Sequence, residues 1–340
     1  YLPPEGPDPG QNFPFPSPTP GLWAVFGAQT IRITVPISKG SNIVHVGKPL
    51  SQGAASASDP QRGRLYAIAG GDSNSFICYD TGATGGRWVG RSGTPATVNN
   101  GGALAYKPDD NYIYAVRGSN AWWEDDNRGT NTLWRYRIET DGDGSGNTWD
   151  TSPQPVPNDD LAHTPKFCQS SGFWYPGAGD YLYAQGLYKT YTPPHYNTGV
   201  HPRRGFFRYG PISGTATWER LDDAPASTNS MGFIIYDPDL AGQEIHLLST
   251  RNFTRPWRYS LSTNHWITLS QAPYDRAYGI NICYPGSGEY LYYATGDSSK
   301  WFYRYHKGEN RWEQLANIPA NIRYHGRRLT YLDGYIYCLQ

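Results

Sequence analysis

Arg64-Leu65-Tyr66-Ala67-Ile68-Ala69-Gly70-Gly71 decides the fold, because large apolar residues alternate with small ones and the run ends at glycine. Alternation with a period of two is typical of a β-strand with one buried face. The pattern returns at residues 112–118, 181–186, 244–248, 290–296 and 335–339, which makes six copies. Self-similarity of this kind predicts a repeat architecture, in which each copy is part of one structural unit.

Three further elements recur in a fixed order around these strands. An aromatic-Arg-Tyr triplet follows most copies, with Ile77-Cys78-Tyr79 in its place after the first; the triplets are Trp134-Arg135-Tyr136, Phe207-Arg208-Tyr209, Trp257-Arg258-Tyr259 and Tyr303-Arg304-Tyr305. A Trp with a Pro downstream comes next, and a glycine-led apolar strand then opens the following unit. The order predicts four strands per unit.

This order of elements resembles the Kelch motif. The resemblance covers residues 22–340 and implies a single all-β domain, a six-bladed Kelch-like β-propeller with four-stranded antiparallel blades. Seven blades are the alternative. The chain departs from the family pattern in one respect, since the Gly-Gly doublet is complete only at Gly70-Gly71.

The two chain ends are expected to share one blade. The sixth copy stops after its second strand, so its outer strands must come from elsewhere. Ile31-Arg32-Ile33 retains the Arg of the triplet, and we expect it to pair with Tyr335–Leu339. Leu22–Gly27 either pairs nearby or is the relic of a seventh blade.

Composition excludes several classes of protein. With 39 Gly and 28 Pro among 340 residues, the chain is poor in helix formers, and it has no apolar run long enough to span a membrane. The formal net charge is zero, which is atypical of a nucleic-acid-binding protein. The four cysteines lack metal-site spacing and leave both disulfides and buried free thiols open.

Long aromatic loops are the candidate ligand-binding or interface regions. Strand alternation places the second-to-third and fourth-to-first loops of a blade on one face, where residues 119–132, 158–171 and 187–204 should cluster. Exposed aromatic side chains suit sugar stacking or a protein interface. The candidates in these loops are Trp122, Trp123, Tyr188, Tyr191, His195 and Tyr196. Mutual packing of the same side chains is the alternative.

One segment resembles the first half of a calcium loop. Its oxygen-bearing residues alternate, and a glycine falls at the sixth position; the candidate ligands are Asp141, Asp143, Ser145, Asn147 and Asp150. The glutamate expected at the twelfth position is absent, and a polar hairpin explains the same residues. Calcium is therefore a candidate, and the sequence indicates no other cofactor.

Residues 1–21 form a separate proline-rich arm. Eight prolines favour an extended polyproline conformation and exclude the interior of a sheet. Such an arm becomes ordered only by docking, and Tyr1, Phe13 and Phe15 are its candidate anchors. Docking on a neighbouring copy would produce a homo-oligomer and, if the contacts do not close, a filament.

Two main functions remain open. The first is a non-enzymatic, secreted structural or interaction protein that self-assembles through the arm and the aromatic loops into a filament or surface layer. The second is a carbohydrate-binding or carbohydrate-active propeller, galactose-oxidase-like or sugar-isomerising. An intracellular Kelch scaffold is a third. We favour the first, because no catalytic motif is present; we therefore expect an extracellular or cell-surface protein, with glycans as candidate ligands and a sequon at Asn252.

Overall fold

The structure is a computed structural model of the 340-residue chain. It describes residues 22–26, 29–33, 51, 53–82, 87–118, 130–138, 148–153, 155, 165–166, 172–177, 179–189, 205–225, 233–237, 244–248, 256–273, 281–285, 288–294, 299–318, 328–332 and 334–339. Within these ranges the chain is all-β apart from one turn of 3₁₀ helix at Pro108–Asp110.

The described residues form strands that match the repeating pattern. They are β1 (Leu22–Phe26), β2 (Gln29–Ile33), β3 (Ala55–Asp59), β4 (Arg64–Ile68), β5 (Phe76–Asp80), β6 (Arg87–Gly90), β7 (Ala103–Lys107), β8 (Tyr112–Val116), β9 (Leu133–Arg137), β10 (Trp149–Asp150), β11 (Pro165–Lys166), β12 (Gly172–Trp174), β13 (Leu182–Lys189), β14 (Gly205–Gly210), β15 (Thr217–Arg220), β16 (Phe233–Asp237), β17 (Glu244–Leu248), β18 (Trp257–Ser260), β19 (His265–Thr268), β20 (Asn281–Cys283), β21 (Tyr290–Ala294), β22 (Phe302–His306), β23 (Arg311–Leu315), β24 (Arg328–Leu332) and β25 (Tyr335–Leu339).

These strands make six sheets in a β-propeller arrangement. In chain order they are sheet 1 (β3-β4-β5-β6), sheet 2 (β7 to β10), sheet 3 (β12 to β15, with β11 also on β13), sheet 4 (β16 to β19), sheet 5 (β20 to β23) and sheet 6 (β24-β25-β1-β2). The first strand of each sheet lies beside the first strand of the next, and β24 lies beside both β20 and β3. The contacts between inner strands therefore form a closed circuit.

The first and the last described strands lie in sheet 6, but not in the order expected from the sequence. The expected pairing of Ile31–Ile33 with Tyr335–Leu339 is wrong: β1 pairs with β25 and β2 lies one position further out. The pairing of β1 with β25 is parallel, whereas antiparallel blades were expected. Only Gly27-Ala28 separate β1 from β2, and a two-residue link with glycine first favours a hairpin, so the two strands enter the sheet together.

A hydrophobic cluster fills the space between each pair of neighbouring sheets. Between sheets 1 and 2 it includes the buried Tyr66, Phe76 and Tyr136, and between sheets 6 and 1 it includes Leu65 and Tyr337. Because both faces of every sheet are covered, the middle strands are buried along most of their length. The alternation of large and small residues seen in the sequence fits this two-sided packing.

The recurring Trp is a link between sheets. Trp149 donates its indole N–H to the carbonyl of Ser92 at 2.9 Å, and its ring lies 5.1 Å from Phe76 of sheet 1. Trp266 and Trp312 make the equivalent bonds, to the carbonyls of Asp222 at 2.9 Å and Ser270 at 3.2 Å. Each bond joins the outer strand of one sheet to the connection that leaves the preceding sheet, which explains why the Trp recurs at a fixed position.

Replacing Trp149 separates the two parts of this link. Trp149→Phe should cost about 1 kcal/mol of unfolding free energy, because it removes the hydrogen bond and keeps most of the packing. Trp149→Ala should cost about 3 kcal/mol, because it also leaves a cavity. Chemical denaturation followed by intrinsic fluorescence measures both values. Equal losses in the two variants would show that the ring packing contributes little.

Candidate interaction surface

Strand direction divides the connections between two ends of the propeller. The loop face is the end at which the second strand of a sheet connects to the third, and the fourth strand connects to the first strand of the next sheet. The turn face is the opposite end, at which the first strand connects to the second and the third to the fourth. The turn face includes the tight turn at Pro108–Asp110, between β7 and β8. The loop face includes the long connections that the sequence singles out.

Two of the predicted long loops meet on the loop face of sheet 3. Strand β13 extends to Lys189, so residues 187–189 are strand rather than loop. Its far end pairs with β11, with Pro165 opposite Lys189 and Lys166 opposite Tyr188. The candidate Tyr188 therefore lies, by backbone register, beside residues 165–166, which belong to the predicted loop 158–171. Within the described residues, two of the predicted loops meet at this pairing, and the clustering of all three stays a prediction.

The third long loop is closed at its base. The carbonyl of Gly118 accepts from the backbone N–H of Thr130 at 2.9 Å and from its hydroxyl at 2.8 Å. Gly118 has φ of +74°, a conformation that favours glycine. The chain thus leaves and re-enters sheet 2 at one point, with the Trp122-Trp123 segment between.

A buried asparagine lies beside this base. Asn99 is fully buried, and its Oδ1 accepts from the backbone N–H of Asn100 at 2.9 Å. Its Nδ2 has no hydrogen-bond partner in the described part of the chain. A Cβ on Gly53 would lie 1.9 Å from the Asn99 carbonyl, so the two connections are in close contact. A buried amide N–H of this kind can bind an acceptor oxygen of a water or ligand.

Gly118 should be more sensitive to substitution than other glycines with positive φ. A Cβ there would lie 2.4 Å from the Asn100 carbonyl oxygen, so Gly118→Ala should cost more than about 2 kcal/mol. Gly177 is a matched control: its φ is +86°, but a Cβ would meet no described atom within 4 Å, so Gly177→Ala should cost about 1 kcal/mol. Thermal denaturation ranks the variants; the reverse ranking would contradict the packing described around Asn100.

Most of the sequence candidates lie outside the described residues. This applies to Trp122, Trp123, Tyr191, His195 and Tyr196 of the loops, to Tyr1, Phe13 and Phe15 of the arm, to Asp141, Asp143, Ser145 and Asn147 of the calcium candidate, and to the sequon at Asn252. Tyr188 is described by its backbone alone. No cluster of three or more metal-binding side chains occurs among the described residues.

Asp150, the last calcium candidate, belongs to a repeated scaffold contact. In three sheets the Arg of the triplet lies over a Tyr in or next to the second strand and donates to a carboxylate of the fourth strand of the same sheet. Arg135 lies 4.5 Å from the ring centre of Tyr112 and donates to Asp150 at 2.8 Å. Arg208 lies 4.5 Å from the ring of Tyr181 and donates to Glu219 at 2.7 Å. Arg304 lies 4.3 Å from the ring of Tyr290 and donates to Glu313 at 2.6 Å.

Both oxygens of Asp150 are occupied in this arrangement. Oδ2 accepts from Arg135, and Oδ1 accepts from the backbone N–H of Ser152 at 2.8 Å. Burial alone would raise the pKa of the carboxyl, but the bonds from Ser152 and the charge of Arg135 outweigh it and lower the pKa. The carboxylate is therefore held in its charged form as a partner of Arg135.

The stabilisation by Asp150 should depend on pH. Because the pKa is lowered on folding, the carboxylate stabilises the fold above the unfolded pKa of about 3.9, and this contribution is lost as the pH falls through the folded pKa. Asp150→Asn should therefore lower the melting temperature at about pH 7 and have little effect at about pH 2. An equal difference at both pH values would contradict the ion pair.

A buried lysine on the turn face was not predicted from the sequence. The Nζ of Lys107 lies 3.1 Å from Asp109 and 3.6 Å from Asp180, and its side chain is almost fully buried. Tyr175 donates to Asp109 at 3.3 Å, so the group joins sheets 2 and 3. Lys, Asp and Pro side chains in a turn are usually exposed to solvent, and the Lys107 side chain is buried only because sheet 3 packs against the turn.

Two of the four cysteines are buried free thiols. Cys78 occupies the position of the triplet Arg in sheet 1, and Cys283 lies at the end of β20. Burial raises the pKa of both thiols, which disfavours the reactive thiolate. Of the two interpretations left open by the sequence, the buried-hydrophobe one holds for these residues.

Comparisons with known proteins bear on the fold alone. No protein-family model and no curated protein matches the chain. Among solved structures, "Structure of YjhT" aligns over 84% of this chain and 89% of its own, with a TM-score of 0.63 and 11% identity. In all, 837 solved chains match, so the architecture is widespread and does not identify a ligand. No helix of the described residues is long and apolar enough to cross a membrane.

Proposed function

We propose that the six sheets are the blades of one Kelch-type propeller. The proposal is supported by the closed circuit of inner strands and by the recurrence of Trp, Arg and Tyr at equivalent positions. In this interpretation the domain spans residues 22–340, and residues 1–21 are an arm outside it.

We further propose that the protein is a non-enzymatic, extracellular building block that self-assembles through this arm. The observation that carries the proposal is the position of Leu22. It pairs with Ile336, near the start of β25, and β25 runs from the turn face to the loop face. The arm therefore joins the domain near the turn face, while the long aromatic connections belong to the opposite end.

This separation favours assembly rather than self-docking. A donor segment and acceptor surface at different places on one subunit give a head-to-tail contact, which continues from copy to copy unless the rotation closes a ring. The non-enzymatic character rests on the sequence, in which no nucleophile or metal-protease motif is present. The charged groups of Lys107, Arg135 and Arg304 serve contacts within or between sheets.

Carbohydrate binding is the second candidate. It is supported by the pairing of β11 with the end of β13 that contains Tyr188, and by the buried Asn99 amide on the same face. Glycan-array binding that is lost in Trp122→Ala and Trp123→Ala, with the melting temperature unchanged, would favour it over assembly. Calcium remains a candidate ligand of Asp141, Asp143, Ser145 and Asn147 under either function.

Deleting residues 1–21 tests the assembly proposal. All described strands begin at Leu22 or later, so the truncated chain keeps every one of them. We expect light scattering to show particles much larger than 38.0 kDa for the full chain and a monomer for the truncated one. A chain with a Gly/Ser segment of equal length in place of the arm controls for size. Identical particle sizes in all three would exclude arm-mediated assembly.

A further inference from the structure

One outer strand differs from the others in charge. Strand β19 is the last strand of sheet 4, and its residues are His265, Trp266, Ile267 and Thr268. Among the described outer strands it alone contains no Asp, Glu, Lys or Arg; the others contain Arg32, Arg87, Asp150, Glu219 with Arg220, and Arg311 with Glu313. Charged residues on an edge strand prevent other chains from adding to it, so β19 is the least protected edge.

Ile267 stands where sheets 2, 3 and 5 have a carboxylate and sheet 1 has Val89. It lies opposite Arg258, as Asp150, Glu219 and Glu313 lie opposite the Arg of their own sheets. The side chain is 40% exposed, one of only two large apolar side chains in the described residues that are this open. Sheet 4 therefore has an apolar side chain at its outer edge, where sheets 2, 3 and 5 have a charged one.

The free edge of β19 presents backbone groups at two residues. The N–H of Leu269 donates to the carbonyl of Pro256 at 2.9 Å, and in an antiparallel pair every second residue faces the partner strand. Ile267 and His265 therefore face β18, whereas the N–H and C=O groups of Trp266 and Thr268 face outward. A strand that adds here needs donors and acceptors on alternate residues.

The arm contains a segment with this pattern. Phe13-Pro14-Phe15-Pro16-Ser17-Pro18-Thr19-Pro20 alternates residues that have an N–H with prolines that lack one. The residue before a proline favours the extended conformation, so all four non-proline residues are biased toward β. In an extended strand, their N–H groups point to one side and the prolines to the other, which is the arrangement allowed for proline at a sheet edge.

We propose that residues 13–20 of one copy add as a fifth strand to β19 of a second copy. The added strand supplies hydrogen bonds to Trp266 and Thr268, and Phe13 or Phe15 covers Ile267. Its proline side has no donor, so no sixth strand follows. This proposal rests on the assembly function above and names the acceptor for the arm.

The same copy cannot supply the strand. With Phe15 beside Ile267 and residues 16–17 on the strand, residues 18–21 remain before β1, a reach of about 18 Å at roughly 3.5 Å per residue. Sheets 4 and 6 are separated by sheet 5, since β20 lies beside both β16 and β24. Two sheet spacings are about 20 Å through the protein, and the path around sheet 5 is longer. The donor is therefore a neighbouring subunit.

Ile267→Glu in the full chain tests the acceptor strand. It restores the carboxylate of sheets 2, 3 and 5 beside Arg258, so the melting temperature should be unchanged, while the charge blocks strand addition. We expect at least a tenfold weaker assembly by analytical ultracentrifugation. Val89→Glu is the matched control, because Val89 lies at the same register position in sheet 1, opposite Cys78, and assembly should persist. Wild-type assembly of Ile267→Glu would overturn the proposal.

Variants of the arm test the donor strand without touching the propeller. Phe15→Pro with Ser17→Pro removes two N–H groups and should reduce assembly as strongly as Ile267→Glu. Pro16→Ala with Pro18→Ala leaves the inner side intact and should assemble normally. If deletion of the arm abolishes assembly and neither the Ile267 nor the Phe15 and Ser17 variants weaken it, the assembly function stands and β19 is not the acceptor.

Discussion

Closure of the circuit by sheet 6 is the constraint on which the rest of the structure depends. This sheet buries Tyr337 against Leu65 of sheet 1 and Ile336 against Phe302 of sheet 5, so it covers two neighbours that would otherwise expose apolar faces. Its strands come from residues far apart in sequence, and contacts of such separation are slow to form. Sheets 1 and 5 therefore gain their final packing only when β24 and β25 have joined them.

Residues that make the same contact in several sheets have a structural role, and residues that break the repeat are the candidates for a specific function. Trp149, Trp266 and Trp312 bond to the connection leaving the preceding sheet, and the triplet Arg repeats its stacking and ion pair in three sheets. A residue that recurs at equivalent positions is explained by packing that every sheet needs. The informative positions are those that break the repeat, such as Ile267 in place of a carboxylate and β11 added to sheet 3.

The positions of the strands could be predicted from local periodicity in the sequence. The order of strands in sheet 6 and the burial of Lys107 could not, because they depend on contacts between residues distant in sequence. Alternation located the second strands, and the triplets located the third, because both patterns reflect burial on the two faces of one sheet. The repeated Arg favours Ile31–Ile33 as the third strand of sheet 6, but β1 takes that place because β1 and β2 pair with each other and enter the sheet together. The burial of Lys107 was invisible for another reason: its partner Asp180 belongs to the next sheet.

The proposed strand addition has a consequence for the form of the assembly. Each copy has one arm and one uncharged outer strand, and the two belong to different sheets, so every contact uses unlike surfaces. Unlike surfaces produce a ring only when the rotation between copies divides a full turn, and otherwise an open filament. A proline-sided strand also ends the sheet it joins, because it offers no further donors. The proposal therefore predicts growth along a single line, because the strand that makes the longitudinal contact also blocks lateral sheet addition.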